Sequence, residues 1–230
     1  MDVSLYQQFA TDVLGVTFKQ LDILITAFTH RSYVNEHRKT VTEHNERLEF
    51  LGDAVLELVV TQYLYSTYTD PEGVLTNWRS ALVRTESIGA AAERNGFEPL
   101  LRLSRGEKRG TARARAQIMA NAYEAVIGAV YLDQGYDAAK TLIEKTLLTT
   151  FEEILQTGSW MDPKSHLQEI VQSKAGFTPQ YKVLEEDGPD HEKTFTVGVL
   201  VDGELMGKGS GPSKQAAQVA AAEAALLVYK

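Results

Sequence analysis

The stretch that decides the fold is His44-Asn45-Glu46-Arg47-Leu48-Glu49-Phe50-Leu51-Gly52-Asp53-Ala54-Val55-Leu56. On a helix turning about 100° per residue, Glu46, Glu49 and Asp53 share an arc of roughly 60°. Leu48, Leu51, Val55 and Leu58 fall on the opposite side, which predicts a helix packed into a core through its apolar face. Asn45 stands where an N-cap is expected, and Glu46 and Glu49 suit the positive end of the helix dipole. That bland role accounts for two of the three acids. The alternative is that crowded carboxylates raise one another's pKa or hold a cation. Oxygen donors on a rigid element are what a hard ion such as Mg²⁺ takes.

The totals set limits around this helix. At 230 residues the chain holds one large domain or two small ones, and 43% hydrophobic with 23% charged residues is ordinary globular composition. The net charge of −8 argues against a phosphate-binding protein only weakly, because metal-binding carboxylates lower the sum without touching a separate basic strip. There is no cysteine, which excludes disulfides, thiolate catalysis and Cys-based zinc sites and fits a reducing cytosol. No signal-like N-terminus and no apolar run of membrane length are visible, so a cytoplasmic protein without a membrane partner is expected.

Taken in order, the first half reads as helices. Leu5, Phe9, Val13 and Leu14 give one stripe and Leu21 to Phe28 another, and the polar run 35–44 reads as a loop. Asp70-Pro71-Glu72-Gly73 is a turn, followed by helical stripes through Leu75, Trp78, Leu82 and Val83 and over 87–94. Residues 104–115 form a polar loop with five cationic residues, either simply solvated or a phosphate contact near an active site. Ile118 to Leu132 is an apolar helix interrupted by Asn121 and Glu124, which share a face at i, i+3. A lone Glu in so apolar a helix is costly to bury unpaired. It is either a hydrogen-bonded core residue or the second half of a metal site begun by Glu49 and Asp53.

Leu142 to Leu155 closes the helical part. Beyond a short linker the periodicity changes: Ser165–Lys174 is helical, Tyr181, Val183, Phe195, Val197, Val199 and Val201 alternate at period two, and 213–229 is an Ala-rich helix. The expected architecture is an all-α domain at 4–155, a linker at 156–162 and a small α+β domain of order α-β-β-β-α at 163–230.

These stretches together resemble the ribonuclease III family. The resemblance rests on 44–56, on Ala27-Phe28-Thr29-His30-Arg31-Ser32-Tyr33, on Pro71-Glu72-Gly73, and on Gly106-Glu107 leading to Ile118-Met119-Ala120-Asn121-Ala122-Tyr123-Glu124-Ala125. The last seventy residues resemble a double-stranded-RNA-binding domain. The resemblance implies a homodimeric, Mg²⁺-dependent endoribonuclease, with Mn²⁺ able to substitute. It implies cutting of both strands of double-stranded RNA to 5′-phosphate and 3′-hydroxyl ends, in the processing of precursor ribosomal and messenger RNA. Carried over by position, Asp53 and Glu124 are the catalytic residues. Glu49, Asn121 and Glu124 are the metal ligands, with Glu46 and Glu72 at the margin. Asn121 departs from the family, which commonly has Asp there. An amide oxygen still ligates Mg²⁺ but carries no charge.

In the small domain the resemblance points to Ser165, Gln168 and Gln172 on one helix face, to His191 in the Gly188-Pro189-Asp190-His191 loop, and to Ser213 and Lys214 at the last helix. Residues 161–230 hold seven Lys, no Arg and ten acids, a formal charge of −3, which is low for an RNA binder. Gly207-Lys208-Gly209-Ser210 lacks the spacing of a nucleotide-binding loop, so no nucleotide cofactor is expected. The competing reading, supported by Asn121, is a double-stranded-RNA-binding protein with a degenerate, non-cleaving nuclease site.

Overall fold

The apolar stripes of the first half become helices that bury one another. The computed structural model describes residues 3–158, 160–189 and 193–228. The chain divides into two units, Met1–Gln156 and Thr157–Lys230. The first is helical: α1 (Val3–Phe9), continued by a π turn Ala10–Leu14, then α2 (Leu21–Ala27), α3 (Arg31–Glu36), α4 (Glu46–Thr67), α5 (Glu72–Val83), α6 (Thr85–Arg94), α7 (Ala112–Gln134), α8 (Tyr136–Thr146) and α9 (Phe151–Thr157). The α1 segment stops at Gly15, whose φ of +72° suits a residue without Cβ. Helix α7 ends likewise at Gly135.

Helices α4 and α7, each about 33–35 Å long, make the most extensive contact in the unit. Around them sit two aromatic clusters. Phe28 packs edge-on to Phe9 at 5.5 Å, and Phe97 stacks toward Tyr123 at 5.7 Å. Trp78, Tyr68 and Phe151 meet at 5.1–5.6 Å.

Several local expectations are corrected. Asn45 precedes α4 but does not cap it through its side chain: it is buried, and its backbone N–H donates to Thr29 O at 2.9 Å. On α4, Leu48 and Val55 are buried as expected, whereas Leu58 is exposed because α7 covers only part of the apolar arc. Near the N-terminus the buried stripe runs through Tyr6, Phe9, Ala10 and Leu14, and Leu5 points outward. Residues 31–36 of the region read as motif and loop are helical. The basic stretch is not all loop, since α7 begins at Ala112 with Thr111 Oγ1 accepting from Ala114 N–H at 3.2 Å. Arg113 and Arg115 are therefore helical. The linker expected from 156 begins inside α9.

The second unit has α10 (Pro163–Ala175), β1 (Gln180–Asp187), β2 (Thr194–Val201), β3 (Glu204–Gly211) and α11 (Lys214–Val228), with an antiparallel sheet of order β1-β2-β3. Asp162 caps α10, accepting from the N–H groups of Lys164 and Ser165 at 3.1 Å. Asp202 and Gly203 both have positive φ and form the two-residue turn that pairs Val201 with Glu204. Both helices cover one face of the sheet, over a core of Leu167, Val171, Val197, Val199, Val201, Ala217 and Ala221. Gly207 shows why α11 is Ala-rich: a Cβ there would stand 2.6 Å from the Ala221 carbonyl oxygen. The 207–210 stretch is thus a strand beneath a helix, as the failed nucleotide-loop spacing required.

Candidate active site

Two glycines set the site. A Cβ at Gly52 on α4 would overlap the Glu124 carbonyl oxygen of α7, and one at Gly128 would overlap the Leu48 carbonyl oxygen. The two backbones therefore touch, with Ala122 and Ala125 buried alongside. Close contact at this level carries the acidic arc of α4 and the Asn121/Glu124 face of α7 to one place. Gly52 is the residue sequence reasoning passed over. Its signal was a glycine inside an otherwise strongly helical, apolar run.

The electrostatics confirm the juxtaposition. The Glu124 carboxyl is pushed up to about 8, first by burial and then by the negative charges of Asp53 and Glu49. Glu49 is also raised, by burial and by Glu46, with Asp53 adding and a hydrogen bond from Asn121 opposing. Glu49, Asn121 and Glu124 are half-buried, while Asp53 is open to solvent. Among the described residues no cationic side chain pairs with Glu49, Asp53 or Glu124.

Among the described residues no three Asp, Glu or His side chains close on one point as a finished metal cage. One position of the cluster, Asn121, is an amide. The donor chemistry nevertheless fits a hard divalent cation. All donors are oxygens, the negative charge is unneutralised, and Mg²⁺ needs only one or two carboxylates because it keeps several waters.

The two remaining acids differ in their relation to the cluster: the charge of Glu46 acts on Glu49, and that of Glu72 does not. Glu46 is exposed and ion-paired with Arg31, with His44 Nδ1 4.0 Å away. Arg31 belongs to the Thr29–Tyr33 stretch, so that stretch anchors the margin of the site. Glu72 begins α5 and lines a groove with Thr61, Leu64, Tyr65, Leu75 and Arg79; it is not among the charges acting on Glu49 or Glu124. In the basic stretch Arg115 pairs with Glu98, whereas Arg105, Lys108, Arg109 and Arg113 are exposed and make no ion pair among the described residues.

In the second unit Ser165, Gln168 and Gln172 all face solvent along α10, opposite the buried Leu167 and Val171. Ser213 Oγ accepts from Ala216 N–H at 3.1 Å and so acts as a cap for α11. Lys214 is held by Glu186 at 3.0 Å and lies over the Phe195 ring, 5.4 Å from its centroid. His191 lies outside the described residues.

Comparison with known proteins shows the family of both units. A Ribonuclease-III-like family model matches residues 20–151, and a double-stranded RNA binding motif matches residues 163–229. Ribonuclease 3 of Enterococcus faecalis is 44% identical over 216 residues, covering 92% of each chain. Ribonuclease 3 of Geobacillus kaustophilus is 46% identical over 217 residues, covering 93% of this chain and 87% of its own. A solved nuclease domain of ribonuclease III from Campylobacter jejuni, described for flexibility in a region involved in dimer formation, superposes with a TM-score of 0.54. It is 38% identical and covers 60% of this chain and 96% of the domain. An all-helical unit followed by an α-β-β-β-α unit, with these relatives over nearly the full length, places the chain in the ribonuclease III family.

Proposed function

We propose that the chain is a divalent-metal-dependent endoribonuclease that hydrolyses phosphodiester bonds in both strands of double-stranded RNA, leaving 5′-phosphate and 3′-hydroxyl ends. The observation that carries this reading is the joining of Glu49 and Asp53 to Glu124 at the Gly52–Gly128 helix contact, in a patch of uncompensated negative charge. Glu49, Asn121 and Glu124 would hold Mg²⁺ or Mn²⁺, with Asp53 beside them. When bound, the ion supplies charge neutralisation on the phosphate and activation of water. Asp53, the exposed member, faces where an RNA backbone can reach. Glu124, the most perturbed acid, is the residue whose charge most requires a cation before it can serve.

The unpaired Lys108, Arg109 and Arg113 offer phosphate contacts, and Ser165, Gln168 and Gln172 offer contacts to ribose hydroxyls. A homodimer supplies one acidic cluster per strand. Phe50, Leu58 and Tyr65 fall within roughly 80° on α4 and are respectively 83%, 58% and 81% exposed, an apolar stripe suited to a second copy. The domain limits 4–155 and 163–230, processing of ribosomal and messenger precursors, and a cytoplasmic site of action belong to the same reading. Among the described residues no helix is long and apolar enough to cross a membrane.

Incubating a perfect RNA duplex with the protein and Mg²⁺, with end-group determination of the products, tests it. Cleavage to 5′-phosphate ends is expected, with Glu124→Ala abolishing cutting while duplex binding persists within about threefold. Absence of cleavage at any Mg²⁺ or Mn²⁺ concentration would leave the non-cleaving RNA-binding alternative in its place.

A further inference from the structure

A stack of planar groups built on α3 belongs to none of the sites above. Arg102 Nη1 donates to the buried hydroxyl of Thr29 at 3.0 Å. The same guanidinium lies over the Tyr33 ring, 4.4 Å from its centroid. The His37 imidazole is nearly parallel to that ring, with centroids 4.0 Å apart and planes at 14°. Two groups this close to one centroid must take opposite faces, so the order is Arg102, Tyr33, His37. A further contact fixes the outermost ring, since Tyr33 O accepts from His37 Nδ1 at 2.9 Å. A carbonyl oxygen only accepts, so Nδ1 carries the proton. Tyr33 covers one face of an exposed imidazole, which leaves the other face and the Nε2 edge to solvent.

The chain beside this ring is positive, in a protein of net charge −8. Arg38 and Lys39 follow His37 directly, and both are exposed. The segment from Arg102 is fastened along α3: Arg102 N–H donates to Phe28 O at 2.8 Å, Ser104 N–H to Ser32 Oγ at 3.1 Å, and Arg105 N–H to Glu36 Oε1 at 3.3 Å. Residues 35–40 and 102–110 together hold six cations against two acids, Glu36 and Glu107. A fixed aromatic face with cations beside it suits a planar group carried on a polyanion. The ring holds a base by stacking, and the cations hold its phosphates. Within a duplex both faces of each base are already stacked on neighbours, whereas an unpaired base has a face to give. We propose, on the reading that the chain binds RNA, that the outer face of His37 is a stacking platform for an unpaired nucleotide flanking the duplex, with Arg38, Lys39 and Arg105 taking its phosphates.

Fluorescence anisotropy of the full chain in EDTA tests this on three RNAs that share one duplex sequence. One is blunt, one carries short adenosine tails at both 3′ ends, and one carries the same tails without their bases. The tailed duplex should bind about fivefold or more tighter than the blunt one, and the abasic tails, which keep every phosphate, should recover less than about half of that gain. His37→Ala should abolish the gain and His37→Phe should retain it. Blunt-duplex affinity should stay within about twofold in both variants, because His37 meets no paired base. A 2-aminopurine placed in the tail should be quenched by the unmodified chain and by His37→Phe, and not by His37→Ala.

Equal binding of tailed and blunt duplexes overturns the proposal, and is the result expected if His37 stacks on Tyr33 only to close α3. A gain that survives in the abasic tails, or in His37→Ala, overturns it as well, since phosphate attraction alone then explains it. So does a matching loss of blunt-duplex affinity in His37→Ala, which would put a terminal base pair on the ring. The abasic comparison uses the unmodified chain and stays decisive even if a variant fails to fold. A chain that binds all three RNAs alike loses this proposal alone; one that binds none loses the RNA-binding reading with it.

Discussion

Removing the charge of Glu124 should stabilise the ion-free protein, although the same residue is assigned to the active site. The folded carboxyl ionises near about 8 against 4.5 for an ordinary Glu, chiefly because it is buried and then because Asp53 and Glu49 stand by it. Between those two values the folded chain keeps a proton that the unfolded chain has lost. The folded state is therefore fully favoured below about pH 4.5, and that advantage disappears as pH rises toward 8. At ~1.36 kcal/mol per tenfold change, the displacement sets a ceiling of about 5 kcal/mol. The residue is only half-buried, and screening by solvent reduces this to about 2 kcal/mol.

Glu124→Gln keeps the shape and removes the ionisation. In EDTA at pH 8.5 it should unfold about 4–8 °C above the unmodified chain, and at pH 5 the two should coincide within about 1–2 °C. Adding Mg²⁺ at pH 8.5 should raise the unmodified chain's Tm and narrow the gap, since ligand binding stabilises only the state that binds. Differential scanning calorimetry at the two pH values reads all of this. A variant no more stable than the unmodified chain at pH 8.5, or equally more stable at both pH values, refutes the picture of an uncompensated acidic cluster.

Gly52→Ala places a methyl group inside the Glu124 carbonyl, so it should cost at least about 3 kcal/mol and lower Tm sharply, with cleavage falling even in the fraction that remains folded. Glu186 is held low by its hydrogen bonds to Lys214 and Lys193, and Glu186→Gln should free both for phosphate. RNA affinity should then rise and the slope of log affinity against log salt steepen by about 1–2, read by fluorescence anisotropy; an unchanged slope counts against it. Asp133 accepts from the backbone N–H groups of Lys19 and Gln20 at 2.9 Å, and these bonds, outweighing the effect of burial, hold its carboxyl below the usual range. Asp133→Ala should cost about 2 kcal/mol and speed amide exchange at 19 and 20, while in the unmodified chain the same contact is lost only as pH falls below about 3.8.

What the sequence made legible was whatever periodicity encodes. Spacing alone assigned Glu49, Asp53 and Glu124 to helix faces, and the Gly- and Ser-bearing linker at 156–162 separated the two units. Three kinds of fact were hidden. The first is how far a helix is covered: Leu58 has the same pattern as Val55, yet only Val55 is buried, so an apolar residue read as core is surface. The second is how close two backbones come. Gly52 looks like a weak helix former in sequence, and only the approach of α4 to α7 shows that a Cβ there would meet the Glu124 carbonyl oxygen.

The third is the direction of a hydrogen bond. Asn121 was visible as an amide where the family resemblance leads one to expect a carboxylate, which from sequence reads as a weaker ligand. Gln117, four residues earlier on an exposed face, carries no signal of its own. Their 2.7 Å contact shows that the Asn121 carbonyl oxygen accepts from Gln117 within α7. A family comparison by residue type scores that position as a loss. What no residue type reveals is the burial that, ahead of the charges of Asp53 and Glu49, pushes Glu124 up to about 8.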